Sequence, residues 1–124
     1  MTLSKTQSIQ GQTPNMLGFL EWLSQRKGGE FIQLFEGTGQ ALEKELMVYQ
    51  TIRASLKNYR STGQLSSKVD LAPGHSNFKA FNWLVTNKYL AIDGDRCTLT
   101  YLATAKLYVH FAAELQVLPI ALPQ

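Results

Sequence analysis

The chain has 124 residues, a net charge of +3 and one cysteine, Cys97. This length favours one domain that buries its own core, and one cysteine excludes an intramolecular disulfide. No apolar run reaches the ~18 residues that a transmembrane helix needs, and the N-terminus lacks the apolar stretch of a secretory signal. The sequence therefore predicts a cytoplasmic protein without a membrane segment. Its mildly basic balance permits nucleic-acid binding but does not require it.

The N-terminal region is predicted to be a tail followed by a helix. Residues 1–12 are polar and without periodicity, so we expect them to be disordered. Thr13-Pro14 is typical of a helix start, since threonine caps free amides and proline suits the first helical position. Lys27 followed by Gly28-Gly29 is typical of a helix end. The predicted helix over 14–27 is apolar around much of its girth, which suggests contacts on two sides.

The next segment contains one uncertain element and one clear helix. The apolar residues of 31–35 fit one helical face, yet the run is too short to exclude a strand. Gly37-Thr38-Gly39 is a break and not a phosphate loop, because no Gly-Lys-Ser/Thr follows it. From Gln40 to Tyr59 apolar residues recur every three or four positions, which predicts a helix. A cationic stripe beside them indicates either a solvated face or phosphate contacts; it comprises Arg53, Lys57 and Arg60.

The following stretch has the pattern of a helix-turn-helix and a hairpin. Residues 64–71 are predicted to form two helical turns, and Ala72-Pro73-Gly74 breaks them. A helix is then expected from Ser76 or Asn77 to about Lys88. Tyr89 to Ile92 and Arg96 to Thr100 are predicted strands, joined by a two-residue turn at Asp93-Gly94. Because an isolated hairpin is marginal in water, we expect it to lie against the helices.

The last predicted helix runs from about Tyr101 to Leu118 and carries two apolar lines. One has the alternating three- and four-residue steps of a coiled-coil seam; it comprises Tyr101, Thr104, Tyr108, Phe111, Leu115 and Leu118. The second consists of Leu102, Ala105, Val109 and Ala112. Either line can pack on the domain while the other meets a partner, or the whole helix is buried in its own core. The predicted dimer interface comprises Leu20, Tyr108, Phe111, Leu115 and Leu118.

The stretch "LVTNKYLAIDGDRCTLTYLATAKL", Leu84 to Leu107, resembles bacterial regulators of the MarR and PadR kind. Leu99, Thr100 and Leu102 match the family pattern. The chain departs from it at three positions: Lys88 and Ala103 stand where glycine is common, and Tyr101 where proline is common. The resemblance covers roughly residues 42–107 and is most detailed over the last third.

This resemblance implies a mainly α fold with a small β-hairpin, α+β in class: a winged helix-turn-helix with extra N- and C-terminal helices. The expected organisation is a tail over 1–12, one domain over 13–118 with its core at 40–107, and a C-terminal tail over 119–124. Winged helices also serve as protein-interaction modules, so the resemblance specifies the fold more closely than the function.

The implied function is binding of double-stranded DNA by a homodimeric transcriptional regulator. Side chains near the start of the recognition helix reach base edges, and cations elsewhere hold phosphates. The predicted DNA-binding residues are Lys57, Arg60, Lys68, His75, Ser76, Asn77, Lys79, Asn82 and Arg96. Each has an ordinary alternative, such as Asn77 as a helix cap, Lys79 as a solvated charge, or Arg96 paired with Asp93 or Asp95. The alternative function is a protein-interaction module without DNA affinity.

An enzyme is not expected. No carboxylate pair stands near a histidine at catalytic spacing, and His75 and His110 are far apart in the sequence with no Cys or Asp arranged as a metal set. Cys97 lies inside a predicted strand, where a small buried hydrophobe is its expected role. His110 is expected to be a packed or interfacial residue. We therefore predict no catalytic residues, no cofactor and no metal.

Overall fold

The computed structural model describes residues 14–69 and 77–115. This part of the chain is mainly helical and has a small three-stranded antiparallel sheet, which agrees with the predicted α+β class. In chain order the elements are α1 (Pro14–Ser24), a 3-10 helix (Ile32–Phe35), α2 (Ala41–Thr62), β1 (Ser67–Lys68), α3 (Phe78–Thr86), β2 (Leu90–Asp93), β3 (Arg96–Leu99), α4 (Tyr101–His110) and α5 (Ala112–Leu115).

The N-terminal half follows the predicted helices with two differences. α1 ends at Ser24 and not at Lys27, because the next two amides bond to carbonyls only three residues back and tighten the turn. The segment left open between helix and strand forms a single 3-10 turn over Ile32–Phe35. The long helix is confirmed as α2, and Gly63, whose φ of 81° suits glycine, caps its C-terminal end after Thr62.

Residues 64–69 do not form the predicted helix. Ser67 and Lys68 form β1, which pairs antiparallel with β3 in the register Ser67 to Cys97 and Lys68 to Arg96. Val69 extends the contact, since its N–H donates to Asp95 O at 2.8 Å. Two isolated helical turns gain little in water, whereas the open edge of β3 offers backbone partners. The rest of that predicted helix and the break after it lie outside the described residues.

The hairpin is confirmed, but its turn is one residue later than predicted. Asp93 is the last residue of β2 and pairs with Arg96, so the two-residue loop is Gly94-Asp95. Gly94 has a φ of 64°, and Asp95 is not among the residues with positive φ. Positive φ at the first loop position alone is the pattern of a type II′ turn. β3 lies in the middle of the sheet, whose order is β1-β3-β2.

The junction between α3 and β2 is a Schellman turn. Lys88 takes a φ of 68°, in the left-handed region. Its N–H donates to Val85 O at 3.1 Å, and the N–H of Tyr89 donates to Leu84 O at 2.9 Å. Both Tyr89 and Leu84 are buried. Lys88 therefore holds a backbone conformation that glycine adopts without strain.

Thr100 joins the other end of the hairpin to both neighbouring helices. Its Oγ1 accepts the N–H of Ala103 at 3.1 Å and so caps α4. The same hydroxyl lies against the carbonyl oxygens of Lys88 and Tyr89, and the Thr100 N–H donates to Tyr89 O at 3.0 Å. The hairpin is therefore tied at its base to the end of α3 and the start of α4.

The last predicted helix is interrupted. α4 ends at His110, Phe111 has φ −100° and ψ 13°, and the short helix α5 follows. Residues 116–124 lie outside the described part of the chain. The core lies between α1, α2, α3, the hairpin and α4; its fully buried apolar side chains include Phe19, Leu23, Phe31, Phe35, Ile52, Leu84, Leu90, Leu107 and Leu115.

Two charged side chains at the start of α2 are buried and hold the preceding loop. The Glu45 carboxylate accepts N–H bonds from Gly29 and Phe31 at 2.9 and 3.0 Å. The Lys44 ammonium donates to Thr38 O and Oγ1, both at 2.8 Å. Burial lowers the pKa of Lys44. These contacts fix the 3-10 segment against α2.

Trp83 lies to one side of the buried face of α3 and packs against other elements. Its indole contacts the rings of Phe35 and Tyr89, with centroids 6.1 and 5.7 Å away. The Lys44 ammonium lies 4.1 Å from the centre of the Trp83 ring, within range of a cation–π contact. Trp83 therefore anchors α3 to the 3-10 segment from the side.

Candidate nucleic-acid interface

The helix α3 has one covered face and one free face. Ala80, Phe81 and Leu84 are buried against the core, whereas Lys79 and Asn82 are exposed. The helix is too short to hold itself together in water, so its inner face and the Schellman turn fix its position. Two of the predicted site residues therefore stand on a rigid helix and point to solvent.

The start of α3 lies beside β1. Asn77 occupies the N-cap position but makes no side-chain capping bond, so the predicted alternative of a capping asparagine is wrong. Asn77 and Lys68 line the same cleft of about 430 Å³, with Phe81 and Cys97 behind them. The fold thus brings together two predicted site residues from separate elements. His75 and Ser76 lie outside the described residues.

Arg96 is held by the loop before β1. Its Nε donates to Ser66 Oγ at 3.1 Å and its Nη2 to Ser66 O at 2.9 Å. Among the described residues it forms no ion pair with Asp93 or Asp95, so that predicted alternative is wrong. Arg96 is half-buried, and its bonds to Ser66 fix the segment before β1 to the hairpin.

The two predicted cations on α2 lie apart from this group. Lys57 is exposed, and Arg60 forms an ion pair with Glu21 of α1, whose carboxylate oxygens lie 3.0 Å from Nη2. Arg53 and Arg60 line a second cleft beside α1. That cleft is on a different face of α2 from the cleft of Asn77 and Lys68.

The predicted dimer residues lie mainly inside the chain. Leu20, Phe111 and Leu115 are buried in its own core, and Tyr108 is half-buried with its ring edge against Phe19 at 5.7 Å. Leu118 lies outside the described residues. These side chains therefore offer little area to a partner.

The second apolar line of α4 faces outward. Val109 is 72% exposed and Leu102 is 42% exposed, with Tyr101 beside them at 66%. The periodicity identified both lines of the helix, and the structure shows which of them packs on the domain. Exposed apolar side chains grouped on one helix are typical of a contact surface.

Sequence reasoning missed several residues of the cleft. Gln50, Thr51 and Ala54 of α2 line it opposite β1. They form a face of small or polar side chains beside the apolar stripe of α2, and that face is the signal that could have revealed them. At the other end of α3, Thr86 and Asn87 are exposed.

Cys97 places a thiol in the wall of the cleft. Burial raises the pKa of the Cys97 thiol, an effect that the hydrogen bond from Ser67 partly opposes. A thiol of this kind is a poor nucleophile at neutral pH. Within residues 14–69 and 77–115, no three His, Cys, Asp or Glu side chains are placed to hold a metal ion.

Comparison with protein-family models, with curated proteins and with solved structures finds no match for this chain. Across the described ranges, no helix combines the length and the apolar character needed to cross a membrane.

Proposed function

We propose that this chain is a winged-helix DNA-binding protein that acts as a homodimer, with α3 as its recognition helix. The observation that carries the proposal is the free face of α3, held beside a small sheet of order β1-β3-β2. A helix packed on one side and open on the other fits the major groove of B-DNA. The hairpin that follows it, β2 and β3 with the turn Gly94-Asp95, takes the place of the wing.

The first residues of α3 supply the direct contacts. Lys79 and Asn82 are exposed on the free face, and Asn77 stands at the N-cap. Asparagine pairs bidentately with adenine, and lysine bonds to guanine or to a phosphate. Lys68, exposed on the neighbouring strand, holds the phosphate backbone beside the groove.

The wing contributes little attraction. Asp93 and Asp95 are both exposed at its tip, and carboxylates are repelled by phosphates. Arg96, the nearest cation in the hairpin, has two nitrogens committed to Ser66. Most of the affinity therefore comes from α3 and Lys68, and we expect Asp95→Asn to strengthen binding at low salt.

The dimer is proposed to form through the outward line of α4. Leu102 and Val109 are exposed on this helix, whereas Thr104, Phe111 and Leu115 of the other line are buried. A two-fold axis there uses the same patch on both copies. Two α3 helices would then need a separation of one DNA turn, roughly 34 Å, to enter successive major grooves. Val109→Glu is expected to give a monomer by light scattering; equal dimer mass would refute this interface.

DNA binding is tested by fluorescence anisotropy with mixed-sequence duplexes. Affinity should fall steeply between about 50 and about 200 mM salt. Lys79→Ala should weaken binding and reduce the slope of log K against log salt by about 1. Lys27→Ala is the matched control, because Lys27 is exposed in the loop after α1 and belongs neither to α3 nor to the proposed dimer face of α4. Absence of binding at low salt would overturn the proposal.

A second candidate is a protein-interaction module on the same fold. The exposed apolar group on α4, with Tyr101 at 66% and Val109 at 72%, favours this function. It predicts no DNA affinity at any salt concentration. It also predicts that Val109→Glu abolishes partner binding while Lys79→Ala has no effect.

A further inference from the structure

A small cavity lies between α1, α2 and the start of α4, away from the cleft beside α3. Its volume is about 220 Å³. Its walls include Leu20, Ile52, Ser55, Leu65, Leu99 and Thr104. None of the described residues that line it carries a charge. Tyr101, which is 66% exposed, lies at its edge and marks the side that opens to solvent.

Ser55 is the unusual residue of this cavity. Its side chain is only 5% exposed, and in the described part of the chain its Oγ is the buried side-chain oxygen without a hydrogen-bond partner. Other hydroxyls of α2 donate to the carbonyl four residues earlier, as Thr51 does to Met47 O at 2.8 Å and Thr62 to Asn58 O at 2.9 Å. A buried hydroxyl left unpaired is costly, so this one calls for a partner that the protein does not provide.

Thr104 provides a second hydroxyl in the walls, and Tyr101 carries a third at the edge. Its Oγ1 donates to Thr100 O at 2.9 Å, which leaves the oxygen lone pairs able to accept. The remaining walls are apolar. A charged molecule would have to leave water without gaining a counter-charge here, which is unfavourable. A neutral molecule with one polar group matches both the walls and the hydroxyl of Ser55.

We propose that this cavity binds a small, uncharged, mainly apolar molecule whose single hydroxyl or carbonyl group hydrogen-bonds to Ser55 Oγ. The size is sufficient, since an apolar cavity of about 150 Å³ accepts benzene. The occupant is therefore a single ring or a short branched chain carrying one such group. The site is separate from α3 and does not depend on DNA binding.

The test uses phenol and toluene as probes, because they have nearly the same shape and differ in the hydroxyl. The full chain is titrated with each, and amide shifts are followed by two-dimensional NMR up to about 5 mM, which toluene reaches in water and which exceeds the Kd near 1 mM expected for so small a ligand. Saturable shifts should centre on Ile52, Ser55 and Thr104. Phenol should bind several times more tightly than toluene, as expected for one added hydrogen bond.

Two variants and a control decide the outcome. Ser55→Ala should remove the preference for phenol and leave toluene binding intact, while Leu65→Phe should weaken both by filling the cavity. Ser61→Ala is the matched control, because Ser61 is exposed on the same helix. The proposal fails if neither probe gives saturable shifts. It also fails if phenol keeps its advantage in Ser55→Ala, or if the shifts centre elsewhere.

Discussion

Replacing Glu45 should destabilise the protein by an amount that depends on which oxygen acceptors remain. Its carboxylate is fully buried, and Oε2 accepts N–H bonds from both Gly29 and Phe31 at 2.9 and 3.0 Å. Oε1 makes a second contact with the Gly29 N–H at 2.9 Å. Glu45→Ala leaves the buried Phe31 amide unpaired and the half-buried Gly29 amide partly hydrated, at a cost of about 2 to 4 kcal/mol.

Glu45→Gln is a milder change and sharpens the test. The amide oxygen can replace Oε2 and keep both bonds, but the NH₂ group then faces the Gly29 N–H, donor against donor. We expect a cost of about 1 to 2 kcal/mol, below that of alanine. Urea unfolding followed by circular dichroism measures both values. Glu43→Gln, on the same helix, is the control and should change little.

The order of the three variants tests the reasoning. Ordinary surface substitutions change the free energy of unfolding by less than about 0.5 kcal/mol. If Glu45→Ala and Glu45→Gln both change it by no more than this, the carboxylate does not hold the loop. Hydrogen exchange gives a local measure as well. The Phe31 amide should lose protection in Glu45→Ala and keep it in Glu43→Gln.

Four further predictions concern single side chains. Lys88→Gly should stabilise the protein by about 1 kcal/mol in urea unfolding, since glycine takes the left-handed backbone of the Schellman turn without strain; a loss of stability would contradict that backbone. Ser55→Ala should also stabilise the protein, by about 1 kcal/mol, because it removes an unpaired buried hydroxyl from a helix. An equal gain in Ser61→Ala would show that the unpaired hydroxyl is not the cause. Cys97 should react with a disulfide reagent at pH 8 far more slowly in the native protein than in urea, because burial raises the pKa of its thiol; equal rates would show it to be accessible. The hydrogen bond from Arg26 lowers the pKa of Glu30 below its ordinary 4.5, so the stability from this pair is present above pH 4.5 and is lost as the pH falls through the lowered pKa. The difference in unfolding free energy between wild type and Glu30→Gln should therefore shrink as the pH falls below 4.5. A difference that stays constant from pH 7 to pH 2 would contradict the pairing.

The long helix α2 and the hairpin could be predicted because their signals are local. Apolar spacing defined α2, and an Asp-Gly pair between two short β-like runs defined the hairpin. The turn was misplaced by one residue because Asp93-Gly94 and Gly94-Asp95 are both acceptable two-residue loops. Pairing between the strands decides between these two loops, and local sequence does not report that pairing. β1 was missed for the same reason: Leu65 and Val69 have a helix-like spacing, and only the pairing with β3 makes the segment a strand.

The contacts between distant segments could not be predicted from periodicity. Lys44 and Glu45 have the side chains of a solvated surface, yet both are buried because loop amides and a hydroxyl face them. Trp83 lies off the stripe of α3 because its partner, Phe35, comes from a segment whose structure the sequence left open. The spacing of the last helix revealed two apolar lines but carried no information on which line the core would take.

The candidate site was predicted as a set of residue types, and the fold divides that set. Lys68, Asn77, Lys79 and Asn82 lie on or beside α3, whereas Arg60 is bound to α1 and Arg96 to Ser66. Ion pairs and side-chain bonds of this kind depend on tertiary neighbours. A list of cations in the sequence therefore overstates the number that are free to meet phosphates.

Recognition of DNA by the free face of α3 is tested most directly by NMR of the full chain with a short mixed-sequence DNA duplex at low salt. We expect the largest amide shifts at Lys79, Asn82 and Lys68, and smaller shifts in the hairpin turn. The amide shift of Leu84, whose side chain is buried, should be small. Raising the salt should reverse these shifts. Shifts confined to α4, or no shifts at all at low salt, would contradict recognition of DNA by α3.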